Sequence, residues 1–261
     1  MNLTILGNCA TQTLEHETTS FLLDTGEKKI LIDCGPSTVR QLQKAGVSPL
    51  DISAIIITHC HADHTAGYPY LLFTINLARM MSGTEVSDKI SVIALKSVYN
   101  GIAETLNTQY PVEQLGEKLV EPYIVEDKTN TSFFIDKCKI ELFSTYHTVP
   151  SIGARIENKE TSITFSGDTL FHHEIAQHAK NSNVLVHEAF CTENSADMAR
   201  NSGHSTAREA GIIAREAGVE KLVLCHPLAV MWNDENNLIG DARREFAGKV
   251  LLPREFENIM L

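Results

Sequence analysis

The strongest constraint on this chain is that its apolar residues come in strand-length runs, and several of those runs end at a histidine or aspartate. Runs rich in aliphatic and β-branched residues predict strands at Leu3–Leu6, Ser20–Asp24, Lys29–Asp33, Ser53–Thr58, Ile90–Ala94, Thr131–Ile135, Lys139–Tyr146, Ile152–Glu157, Thr161–Ser166, Asn183–His187 and Lys221–Cys225. Amphipathic stretches predict helices at Thr38–Ala45, Ala66–Met81, Val98–Asn107, Phe171–Lys180, Thr206–Ala217 and Glu235–Phe246. Thr206 and Glu209 fit a capping box opening one of these, and Gly218 fits its end. Strands crowd residues 1–60 and 131–187, and helices follow most strand ends. That pattern predicts an α/β protein with two sheets and helices outside, a single domain over residues 1–261.

The longest apolar runs, such as Ala54–Ile57 and Leu222–Cys225, fall far short of the roughly 20 residues of a spanning helix, so no membrane partner is expected. The first residues, Met1 to Gly7, have no basic region and read as a strand rather than a signal peptide. The six cysteines form no Cys-x-x-Cys pair, which predicts free thiols in a reducing cytoplasm. With 22 Lys+Arg against 33 Asp+Glu the formal charge is −11, and this disfavours a large polyanionic partner, whose phosphates need a cationic face.

The sharpest motif is His59-Cys60-His61-Ala62-Asp63-His64, directly after Ile55-Ile56-Ile57-Thr58. Extended residues at i and i+2 point the same way, so His59 and His61 can grip one metal ion. Once the chain turns, Asp63 and His64 can face a second ion. His147, Asp168 and His226 each follow an apolar run, at the strand ends where a layered α/β protein gathers its site. Alone, each would read as a turn aspartate or a strand-end histidine; together with the cluster they read as ligands. His204 lies just ahead of a predicted helix N-terminus, where the macrodipole favours an anion. Alternation lets only one of His187 and Glu188 face that region, and Glu188 is the candidate. His16, His172, His173 and His178 read as surface or helix-face residues, and Cys60 and Cys225 as packed thiols.

The chain resembles the metallo-β-lactamase superfamily over nearly its whole length. The resemblance rests on Leu31-Ile32-Asp33-Cys34-Gly35, the His-x-His-x-Asp-His cluster, and then His147, Asp168 and His226 in family order. It implies an αβ/βα four-layer sandwich. It also implies that His59, His61 and His147 hold one ion, that Asp63, His64 and His226 hold the other, that Asp168 bridges them, and that Asp33 braces the cluster. The closest pattern is the ribonuclease Z-like phosphodiesterase branch, carried by Thr58–Pro69, the segment His147-Thr148-Val149-Pro150-Ser151-Ile152-Gly153, Phe165–Thr169, His187-Glu188-Ala189-Phe190 and Gly203-His204-Ser205-Thr206. By resemblance, Asp63 takes a proton from the attacking water, His204 donates to the phosphate or leaving oxygen, and Glu188 orients His204.

Two departures bear on substrate. The interval in which ribonuclease Z carries its tRNA-binding arm is only Gly153–Phe165 here, with a predicted hairpin turn at Asn158-Lys159. The family's Ser-x-Arg-Tyr after the last histidine is replaced by Pro227-Leu228-Ala229-Val230-Met231-Trp232. Both, with the acidic balance, point to a small nucleotide phosphodiester rather than tRNA. Arm-less members of this branch include anti-Pycsar-type enzymes that hydrolyse cyclic mononucleotides by attack of a metal-bridged hydroxide. Zinc is the expected metal and manganese the next. Tyr68, Tyr70, Phe190 or Trp232 could stack a base, although such aromatics more often belong to the core, and Tyr110–Glu121 could be a loop that a homodimer lends to its partner's site. The alternatives are a tRNA 3′-processing endoribonuclease, an ester, lactone or sulfate hydrolase, and a catalytically silent binding protein.

Overall fold

In an apolar strand covered on both faces, alternation alone sends each side chain to one layer or the other. The computed structural model describes residues 1–83, 88–127 and 130–261, and the side chains of all of these except 232–236. One seven-stranded sheet has the order β14 (Asn258–Met260), β1 (Asn2–Gly7), β2 (Ser20–Asp24), β3 (Lys29–Ile32), β4 (Ile52–Ile56), β5 (Ile90–Leu95), β6 (Val120–Val125). The other runs β13 (Lys249–Leu251), β12 (Lys221–Cys225), β11 (Val184–Glu188), β10 (Ser162–Phe165), β9 (Ser151–Glu157), β8 (Cys138–Thr145), β7 (Asn130–Ile135). Each sheet is mixed: β1–β3 and β7–β10 pair antiparallel, whereas β3–β6 and β10–β13 pair parallel.

The second sheet shows how alternation builds the layers. Val184 and Val186 of β11, with Val223 and Cys225 of β12, join a core shared with the first sheet. Leu185, Leu222 and Leu224, between them in sequence, face a separate core formed with Ile175, Ala210, Ile213, Leu238 and Ala242. Those residues belong to α6 (Glu174–His178), α8 (Ala207–Ala217) and α9 (Glu235–Arg243). Each fully buried leucine there contributes roughly 1.5–3 kcal/mol by removal from water. The first sheet is covered by α1 (Thr38–Lys44), α3 (Tyr68–Ser82), α4 (Lys96–Gln109) and α5 (Leu115–Leu119), through Leu42, Leu71, Ile75, Ile102 and Leu119. The layers therefore run helix, sheet, sheet, helix. Two short helices, α2 (Ala62–Thr65) and α7 (Ala196–Ser202), complete the described α-helices.

Helix α8 opens at Thr206 with the reciprocal capping box to Glu209 and ends at Gly218 in the left-handed region, as the sequence predicts. The Phe171–Lys180 helix is confined to Glu174–His178, with Phe171 and His172 irregular before it. Tyr110–Glu121 is not a loop: it contains α5 and the start of β6, with Leu115 and Leu119 buried. Its apolar spacing is too short to register as a period. Among the described residues no helix is long and apolar enough to cross a membrane.

Candidate metal centre

Strand ends of both sheets meet at one place. Beyond β4, Thr58 and His59 are buried, and the chain turns into α2, which carries Asp63 and His64. From the second sheet come His147 after β8, Asp168 after β10 and His226 after β12. Two residues at the site, Asp33 after β3 (φ 59°) and His226 (φ 59°), use left-handed backbone without being glycine, a conformation that is costly unless its surroundings hold it. Gly167, at φ 61°, precedes Asp168. A Cβ there would lie 2.5 Å from the Ile152 carbonyl oxygen, so only glycine fits.

The donor atoms converge in two groups. His59 Nε2 and His147 Nε2 lie 3.0 and 3.2 Å from His61 Nδ1. Asp63, His64 and His226 form a second group within 4.8 Å of one another. Asp168 Oδ2 stands between the groups, 3.6 Å from His59 Nε2, 3.4 Å from His64 Nε2 and 3.2 Å from His226 Nε2.

The far side of each ring shows what the near side is for. His147 Nδ1 lies 2.8 Å from the Gly203 carbonyl, which can only accept, so Nδ1 carries the hydrogen and Nε2 is bare. His64 Nδ1–H donates to Asp33 Oδ2 at 2.8 Å in the same way. Thr58 donates its hydroxyl to Asp33 and is left to accept from His59 Nδ1 at 3.0 Å. His226 Nδ1 sits 2.8 Å from Thr19 Oγ1. His64 Nε2, moreover, is buried without a hydrogen-bond partner among the described residues. Nitrogens that face one another bare at 3 Å repel unless a cation lies between them. This donor set therefore fits divalent metal ions, with the outer nitrogens of His59, His64, His147 and His226 already oriented.

Electrostatics agree with the geometry. Burial drives His59 well down and His226 down to about 4, so both are neutral, as ligands must be. Burial pushes Asp168 up, but His226, His64 and His59 outweigh it and hold the carboxyl well below its usual range. His64 is the exception: burial opposes its charge, yet Asp168 and Asp33 raise it well above the ordinary histidine value. An ion on His64 Nε2 must therefore displace a proton.

Beside the metal centre, Glu188 is fully buried and pushed up to about 7 by burial. It accepts from the backbone N–H of Thr169 and of Ser205, and faces His204 Nδ1 at 3.1 Å. Burial lowers His204, but Glu188 and Asp168 raise it overall. His187 points to the other side of the strand, with Nδ1 on the Glu188 carbonyl oxygen at 2.8 Å, and takes no part.

The structure thus brings together every predicted ligand, with Asp33, Glu188 and His204. Two of the aromatics weighed between base stacking and core are packed, and two other expectations are corrected. Tyr68 is core, 1% exposed, because α3 packs directly on the first sheet. The Phe190 ring lies against His204 instead of facing a base. His16 is buried near Glu255, where a loop folds over it, and is not a surface residue. Cys60 is exposed, because β4 ends at Ile56 and strand alternation no longer applies, whereas Cys225 is packed as expected. Tyr70 stays exposed, and the Trp232 side chain lies outside the described residues. Sequence reasoning missed Thr19, Thr58 and the Gly203 carbonyl as the anchors of His226, His59 and His147. Only the adjacency of Thr58 to the histidine cluster could have signalled one of them.

Over residues 1–226 the sequence matches the family described as Anti-Pycsar protein Apyc1. Ribonuclease Z of Picrophilus torridus is 30% identical, over 83% of this chain and 81% of its own. Among solved structures, the metallo-β-lactamase fold protein YhfI from Bacillus subtilis superposes with a TM-score of 0.83 at 20% identity, covering 99% of this chain and 98% of that one. The short form of human tRNase Z gives 0.80 at 24% identity, covering 100% and 99%. The fold is the αβ/βα metallo-β-lactamase sandwich.

Proposed function

Because this chain belongs to the family of Anti-Pycsar protein Apyc1 and is a metal-dependent hydrolase of the metallo-β-lactamase fold, we propose that it hydrolyses small phosphodiesters, cyclic mononucleotides first among them. The observation that carries this reading is the buried Glu188–His204 pair set beside an Asp168 carboxylate within reach of both histidine groups. A proton donor next to a pair of metal sites suits a reaction that expels an alkoxide.

In this reading residues 1–261 form one domain, supported by a core that takes residues from both sheets. His59, His61 and His147 would hold one ion and Asp63, His64 and His226 the other, with Asp168 within reach of both groups. Imidazole and carboxylate donors without thiolate suit zinc or manganese. When bound, the ions would supply Lewis acidity to the phosphoryl group and to the attacking water. Asp63 is held below its usual range by His64 and His226 against the upward push of burial, so it is ionised and able to take the water's proton. Water adds to phosphorus, the bond from phosphorus to the leaving oxygen breaks, and His204 gives that oxygen its proton. Solvent then returns a proton from Asp63 to His204.

A second reading, tRNA 3′ processing, is favoured by the name of the Picrophilus relative. Against it, β9 and β10 are joined by a tight Asn158 turn in the interval where an arm would lie, and the formal charge is −11. Exposed apolar side chains along α3, Tyr70, Leu77, Met80 and Met81, support pairing with a second copy. The test is product analysis of the zinc- or manganese-loaded protein with a pool of 3′,5′-cyclic nucleotides, using Asp168→Ala as blank. Linear monophosphates from wild type alone would establish the reading. With both ions bound and no conversion, the reading fails, and precursor tRNA is the next substrate.

A further inference from the structure

Glu188 and Phe190 leave the end of β11 two residues apart, and both reach His204. Glu188 meets the edge of the imidazole at Nδ1, 3.1 Å away. Phe190 meets its face: the ring centroids are 4.2 Å apart and the planes differ by 6°. The Phe190 backbone is pinned on both sides, its N–H donating to the Ser205 carbonyl and its carbonyl accepting from Leu228 N–H, each at 3.0 Å. Phe190 is 9% exposed and one face of its ring is packed on His204, so that face is not open to a substrate base. His204 Nε2 has no protein hydrogen-bond partner among the described residues, which leaves it to the substrate.

We propose that Phe190 is a positioning residue for the reaction: its ring fixes the plane of the His204 imidazole and thereby the line along which Nε2–H meets the leaving oxygen. A hydrogen bond at one edge still lets an imidazole rock about the axis through that bond. A flat ring packed on its face removes that freedom, because any rock of the imidazole opens a gap on one side and a clash on the other. Proton donation is sensitive to such errors, since active groups need alignment within about 10–20°. A leucine would keep most of the apolar volume without offering a flat face.

The inference rests on His204 being the proton donor, and the experiment separates the two claims. Phe190→Leu and His204→Ala are compared with wild type on a cyclic nucleotide, whose alkoxide must be protonated to leave, and on bis(p-nitrophenyl) phosphate, whose aryl oxide leaves without a proton. Metal content and thermal midpoint are measured alongside. Phe190→Leu is expected to lower kcat on the cyclic nucleotide by about tenfold or more, with KM, metal content and aryl-diester turnover within about twofold. His204→Ala should show the same selectivity, more strongly. If His204→Ala is selective and Phe190→Leu is unchanged, the Phe190 inference falls and the His204 role stands. Equal losses on both substrates, or lost metal, would make Phe190 merely structural and overturn the inference. A His204→Ala protein with no selectivity, or a wild type that turns over no cyclic nucleotide, overturns the underlying reading and this inference with it.

Discussion

Asp33 touches no predicted substrate position, yet replacing it with asparagine should cost the protein one of the two metal ions proposed for it. Its carboxylate is 2% exposed and accepts three hydrogens: from Thr58 N–H at 2.8 Å, from the Thr58 hydroxyl at 2.9 Å and from His64 Nδ1–H at 2.8 Å. Asparagine has one acceptor oxygen and one donor group in the same outline. With the oxygen toward Thr58, the amide N–H₂ faces His64 Nδ1, which must surrender its hydrogen, and the proton moves to Nε2, the atom proposed to bind metal. With the amide reversed, its N–H₂ opposes the buried Thr58 N–H. Either arrangement forfeits a charge-assisted hydrogen bond worth about 1.5–3 kcal/mol. Carried to the ion held by His64, this corresponds to a weakening of roughly ten- to hundredfold. Asparagine tolerates the left-handed backbone at this position, so the fold itself is not strained. Chelator competition followed by elemental analysis checks it: at a chelator concentration where wild type keeps both ions, Asp33→Asn should keep one. Retention of both ions with affinities within about twofold of wild type would refute the tautomer argument.

Other outcomes follow from the same geometry. Asp168→Ala should abolish activity and binding of both ions, while His204→Ala should abolish cyclic-nucleotide hydrolysis with both ions retained; elemental analysis beside turnover separates them. Gly167→Ala combines a left-handed backbone with a Cβ 2.5 Å from the Ile152 carbonyl oxygen, so a drop in melting temperature and loss of metal are expected from calorimetry and elemental analysis. His187 is lowered to about 4 by burial, against an unfolded value near 6.5. Below pH 6.5 the unfolded chain binds a proton that the folded chain refuses, so stability is full above that pH and falls as pH drops toward 4. His187 alone accounts for about 2 kcal/mol between pH 6.5 and 5. Denaturant titrations of His187→Gln should show a correspondingly shallower pH slope than wild type, and an unchanged slope would rule out that contribution.

The sequence by itself determined the layers and the inventory of candidate ligands. Period-two alternation in strands such as β11 and β12 is a local property, and it sorts Val186 from Leu185 without knowledge of the partner surface. The capping box at Thr206 is equally local, and the spacing of His59, His61, Asp63 and His64 follows from one strand end and one turn. Tertiary structure decided what lies across the chain from each of these. Thr19 is 207 residues from the histidine it anchors, and the Gly203 carbonyl is 56 from His147. Hydrogen-bond partners at such separations follow no local period. Cys60 is exposed because the strand stopped before it, and Phe190 faces a histidine instead of a base because the loop carrying His204 folds back onto the end of β11. Local periodicity decides which face of its own element a side chain takes; only the packing of distant elements decides what that face meets.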